Sequence, residues 1–124
     1  MPEPEIRPGV RVVAAPHALD AAVWPEHGLG LRIAPDELLV LGVEEVEVPA
    51  DPQALVEVEA GVCGVEMTRP ALERWMAREA DWPLPSEGLA QGMAAGLPVK
   101  VWVQGEAGLV LTSASLAAEL GIRL

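Results

Sequence analysis

Tyrosine and phenylalanine are absent from the 124 residues, and four tryptophans carry all of the aromatic surface. Any site that stacks a ring must therefore use Trp24, Trp75, Trp82 or Trp102. The single cysteine, Cys63, excludes an internal disulfide framework and a multi-cysteine zinc site. Basic residues are scarce: eight Lys+Arg stand against nineteen Asp+Glu, for a net charge of −11 at pH 7. Such a surface repels phosphate backbones and anionic lipid headgroups, so neither nucleic acid nor a membrane surface is an expected partner. No uncharged run approaches the roughly 18–20 residues of a membrane-spanning helix. The opening Met1-Pro2-Glu3-Pro4-Glu5 has neither the basic nor the apolar region of a signal peptide. A cytoplasmic protein is the expectation.

What is present suits a packed core. Hydrophobic residues make up 51% of the chain and charged residues 22%, which excludes a wholly disordered chain. The length fits one domain. Residues 1–9, proline-rich and charged, read as a loose N-terminal arm, and residues 10–124 as a single α+β domain.

Val10 to Ala15 reads as a first strand ended by Pro16, and His17 to Gly28 shows no clean period and reads as irregular. Leu29 to Ile33 and Glu37 to Gly42, joined by Pro35-Asp36, predict a hairpin. Two further extended segments follow. Val43 to Val48 sets Val46 and Val48 against Glu45 and Glu47. Leu55 to Ala60 sets Val56, Val58 and Ala60 inward and Glu57 and Glu59 outward. Val65-Glu66-Met67 continues as strand, and Thr68 is placed to cap a helix whose buried stripe is Leu72, Trp75, Met76 and Ala80. Asp81-Trp82-Pro83 leaves that helix, because a proline disfavours α geometry in the residue before it. Leu89 to Ala95 is weakly extended. Pro98 to Gln104 is the cleanest strand, with Val99, Val101 and Val103 on one face, and it turns back into Leu109 to Thr112. A short last helix with Leu116, Ala117 and Leu120 inward is capped by Ser113 or Ser115 and closed by Gly121. The fold class is α+β: a mostly antiparallel sheet with two helices packed on one face.

Little here points to chemistry. His17 and His27 are the only imidazoles and lie in loop sequence, while Cys63 on a glycine-flanked strand fits a small buried hydrophobe better than a nucleophile. No phosphate-cradling, metal-ligating or nucleophile-elbow motif occurs, and Gly28-Leu29-Gly30 lacks the third glycine of a dinucleotide fingerprint. No catalytic, cofactor or metal residue is therefore assigned. From Ile33 to Thr68, by contrast, there are nine acidic residues and no basic one. Glu45, Glu47, Glu57 and Glu59 lie on the polar faces of two predicted strands, and like charges opposed across a sheet are destabilising. Either those strands are not neighbours, or the face is simply solvated, or it meets a cation or a basic partner. Lys100, Trp102 and Gln104 form a mixed row opposite the valines of their strand, where a tryptophan is either covered by a helix or loop or anchors an interface. Cover by a helix is expected. Glu45, Glu47, Glu57, Glu59, Lys100 and Trp102 are the candidate partner or ligand surface.

Three segments, in order over residues 29–124, resemble a known family. Leu31-Arg32-Ile33-Ala34-Pro35-Asp36-Glu37-Leu38-Leu39-Val40-Leu41-Gly42 resembles the apolar–Pro–Asp–Glu–apolar hairpin of the gamma subunit of heterotetrameric sarcosine oxidase. Val56-Glu57-Val58-Glu59 through Met67-Thr68-Arg69-Pro70-Ala71 resembles its strand and turn into a helix. Gly88 to Trp102 is similar to its Gln-Gly-x-x-Ala-Gly-x-Pro-x-Lys segment, here Gln91-Gly92-Met93-Ala94-Ala95-Gly96-Leu97-Pro98-Val99-Lys100. The resemblance implies a fold like half of the folate-binding module of the glycine-cleavage T-protein. It also implies an accessory subunit without catalytic activity of its own, docked on a larger flavoprotein that oxidises N-methylated amino acids. Residues 1–28 do not match. The Gly-Cys-Tyr segment of the YgfZ relatives and the Ala-Arg-Asp-x-Leu-Arg segment of full T-proteins are both missing, so no folate-binding carboxylate carries over. A stand-alone module of one-carbon metabolism that binds folate is the alternative reading, and a homo-oligomer built by sheet-edge pairing or helix packing is a third.

Overall fold

The computed structural model describes residues 3–124. In chain order the elements are β1 (Glu5–Ile6), β2 (Gly9–Val13), α1 (Pro16–Asp20), β3 (Leu29–Ala34), β4 (Glu37–Leu41) and β5 (Leu55–Glu59). They continue as β6 (Val62–Thr68), α2 (Arg69–Glu79), β7 (Gly88–Ala94), β8 (Leu97–Gln104), β9 (Ala107–Ser113), a 3-10 turn (Ala114–Leu116) and α3 (Ala117–Ile122). The fold is α+β, with every strand pairing antiparallel in one of two sheets. The chain divides into two compact units, residues 7–60 and residues 3–6 with 61–124, where the sequence suggested one domain over 10–124. Of the arm expected over 1–9, residues 1–2 lie outside the described residues. Glu5 and Ile6 pair with Gly64 and Cys63, and Gly9 opens β2.

The sheet of the larger unit runs β1-β6-β9-β8-β7. Its core gathers Val99, Val101 and Val103 from β8, Val65 and Val110 from β6 and β9, Leu72, Trp75 and Met76 from α2, and Leu120 from α3. Both helices therefore serve one face of this sheet, as the alternation and the i, i+3, i+4 stripe require. Thr68 caps α2 as expected, its Oγ1 accepting from the Ala71 N–H at 3.2 Å, with Pro70 in the first turn. β7 and β8 are joined by Ala95-Gly96, both at positive φ (56° and 75°), the conformation of the tight turn that matches strand twist.

The sheet of residues 7–60 runs β3-β4-β2-β5. The Pro35-Asp36 hairpin forms as the sequence suggests, with a register shift between Arg32 and Ala34. Val10, Val12, Leu38 and Val40 face a core completed by Ala18, Leu19, Val43 and Val46. Three expectations are corrected here. Residues 17–28 are not wholly irregular: Pro16 stands at the first position of α1, where its missing N–H costs nothing, and five residues are too few to reveal a period. Residues 43–48 form no strand beyond a single bridge between Val23 and Glu47. Val56, Val58 and Ala60 do not point into a core. They are exposed, because β5 is the edge strand and its side chains lie past the covered part of the sheet.

Two tryptophans fill space that glycines leave open. The Trp24 indole lies over Gly30, where a Cβ would come within 2.5 Å of the ring, and its Nε1 donates to the Gly28 carbonyl at 3.2 Å. Trp82 lies over Gly92 in the same way, with its Nε1 donating to the Met93 carbonyl at 2.7 Å. The Gly28-Leu29-Gly30 pattern is thus packing, an aromatic laid over edge-strand glycines. No described helix is long and apolar enough to cross a membrane.

Candidate docking surface

Order within the smaller sheet determines how the acidic segment is arranged. β2 lies between β4 and β5, so Arg11 stands directly opposite Glu57 on one side and opposite Leu39, two residues from Glu37, on the other. The Arg11 Nε donates to Glu37 Oε2 at 3.0 Å, and Nη1 lies 4.0 Å from Glu57 Oε2. Its charged form is favoured first by that bond and by the Glu37 charge, then by the charges of Glu57 and Glu59, so its pKa is raised. That one guanidinium thus serves two carboxylates, Glu37 on one neighbouring strand and Glu57 on the other. An exposed pair of this kind adds little to stability, and its effect is to soften repulsion between neighbouring strands.

The six candidate residues fall on three segments of the chain. Glu57 and Glu59 lie on β5 beside Arg11. Glu45 and Glu47 lie exposed on the β4–β5 connection, with the Glu47 backbone bridged to Val23, so they do not oppose Glu57 and Glu59 across a sheet. The repulsion feared from sequence is avoided because the acidic segments are not sheet neighbours. Lys100 and Trp102 belong to β8 in the other unit. Both are half-buried, opposite the face that carries the helices. Neither α2 nor α3 covers Trp102, which corrects the expected cover. Trp102 lines a shallow groove of about 420 Å³ with Glu87, Gly88, Val103 and Gln104.

Beside that groove Arg69 forms a clamp that sequence inspection overlooked. Its Nε donates to the Gly105 carbonyl, its Nη2 donates to the Ser86 carbonyl at 2.8 Å, and Nη2 also meets Glu87 Oε1 at 3.2 Å. Glu87 in turn accepts from the Gly105 N–H. The start of α2, the β8–β9 turn and the entry to β7 are tied together by this one side chain. Nothing local in the sequence signals it, since its partners are 17 and 36 residues away.

Cys63 is fully buried with its Sγ–H directed to the Ser113 carbonyl at 3.5 Å, and burial pushes the thiol pKa up, the reverse of an activated thiolate. His17 and His27 are exposed in the other unit. Among the described residues no three His, Cys, Asp or Glu side chains are arranged to hold a metal ion.

No family model matches this chain, and no curated protein matches it. A solved structure does: a chain of heterotetrameric sarcosine oxidase from Corynebacterium sp. U-96, determined in complex with pyrrole 2-carboxylate. The superposition has a TM-score of 0.73 at 16% sequence identity and covers 97% of this chain and 78% of that one. From one end to nearly the other, the chain has the fold of a small chain of a heterotetrameric sarcosine oxidase, the fold its hairpin and strand segments resemble.

Proposed function

We propose that this chain is a non-catalytic accessory subunit that docks on a larger flavoprotein oxidase or dehydrogenase of N-methylated amino acids. The observation that carries the reading is the match in fold, over 97% of the chain, to a component of a four-subunit oxidase. The sequestered Cys63 thiol supports a role played through contact. The acidic strip around Glu57 and Glu59 and the half-buried Trp102 are the surfaces offered to the partner, Glu45 and Glu47 adding to the negative field. No cofactor is assigned to the chain itself.

Tagged chain expressed in its native cell and purified at low salt should bring down an oxidase subunit together with flavin absorbance. Recovery of the chain alone overturns the reading. Titration with tetrahydrofolate should leave the tryptophan emission unchanged. A saturable change would instead favour the folate-binding alternative.

A further inference from the structure

β5 pairs with β2 along its whole length, from Leu55 opposite Val13 to Glu59 opposite Gly9, and among the described residues its other side borders no strand of the sheet. Natural edge strands are blunted by shortening, by charged side chains, by a bulge or proline, or by cover, and of these β5 has the charges of Glu57 and Glu59. β5 has five residues in unbroken register and no proline. It also carries two chemistries in alternation. Val56 and Val58, 46% and 80% exposed, share a face with the fully buried Val12 and Val10, so the apolar side of the sheet runs on into solvent. Glu57 projects from the opposite face beside Arg11.

We infer that this edge accepts an added strand from a partner protein, an extended segment in which apolar and basic side chains alternate. Its apolar residues would continue the Val56–Val58 face, and a lysine or arginine would stand opposite Glu57. Main-chain pairing supplies affinity in such contacts, and alternate side chains supply specificity. Charge selects the occupant. A second copy adding its own β5 in antiparallel register about Glu57 would oppose that carboxylate to itself, which is destabilising. A basic strand is matched there, and it is steered by a segment with nine acidic residues and no basic one. The inference rests on the docking-subunit reading and names the chemistry of the contact.

Three fluorescein-labelled eight-residue peptides test it by anisotropy: alternating Lys and Val, alternating Glu and Val, and the Lys/Val peptide with proline at a central valine. The Lys/Val peptide alone should bind saturably, more weakly as salt is added. Val58→Lys should weaken it by at least about tenfold, equivalent to about 1.4 kcal/mol, with the far-UV circular dichroism unchanged. Ile122→Lys, at an equally exposed site on α3, should not. Equal binding of the proline or Glu/Val peptide, no binding of the Lys/Val peptide, or an unaltered Val58→Lys variant overturns the inference. A dimer that Val58→Lys dissolves replaces the basic strand with a second copy. Recovery of oxidase by wild type and Val58→Lys alike leaves the oxidase-subunit reading standing and removes the edge assignment; recovery by neither removes both.

Discussion

Ala95 is the one non-glycine among the described residues with positive φ, at 56°. An alanine Cβ crowds the following carbonyl in that region, at a cost of roughly 1–2 kcal/mol that glycine and, in part, asparagine avoid. Ala95→Asn should therefore stabilise the chain by about 0.5–1 kcal/mol, read as a rise in the urea midpoint with an unchanged slope. Asp51 carries a different kind of local constraint. Its Oδ2 accepts from the Ala15 N–H at 3.1 Å and its Oδ1 from the Gln53 N–H at 2.9 Å. Those bonds, helped by the His17 charge, lower its pKa. A carboxylate with a lowered folded-state pKa contributes stability above its unfolded value and loses it as pH falls through the folded one. Asp51→Ala should destabilise the chain near neutral pH, and the gap from wild type should close in acid below the ordinary aspartate range. Asp51→Asn, which keeps one acceptor oxygen, should fall between. Urea melts across pH check both the sign and the window.

Elements were legible where local periodicity and burial agree. β8 alternates because one of its faces is packed under two helices, and α2 shows its stripe because only that stripe is buried. The cap of α2 follows from the same local chemistry. Thr68→Ala should cost about 1 kcal/mol and should loosen the first turn, seen as faster amide exchange at Ala71. β5 shows the opposite case. Its alternation of valine and glutamate is as regular as that of β8, yet neither set is buried, since alternation reports two unlike faces and not which of them is covered. α1 is five residues long and leaves no period to read, and its only local signal is Pro16 at the start. The Arg69 clamp and the Trp24 and Trp82 packing on glycines were illegible for a third reason. The partners of Arg69 and Trp82 are brought close only by the folded chain, and Trp24 reaches Gly28 and Gly30 through an irregular turn that has no sequence period.

For the molecule as a whole, a net charge of −11 sets two opposite responses to salt. Within the isolated chain, screening relieves self-repulsion, so the thermal midpoint should rise from low ionic strength to about 0.5 M sodium chloride, where the Debye length is only a few ångströms. Between the chain and a basic partner the same screening removes attraction, so the complex should weaken over that range. Thermal melts and binding isotherms in matched buffers check the pair, and a parallel response would argue against a charge-guided contact. Composition and pattern sufficed for the α+β class, the antiparallel hairpins, the capped helix and the acidic character, because each arises from neighbours in the chain or from a simple count. The division into two sheets, the placing of Arg11 between Glu37 and Glu57, and the exposure of Val56 and Val58 on an open edge came only with the folded chain. Strand order is a matter of which distant segments meet, and no local residue pattern encodes it.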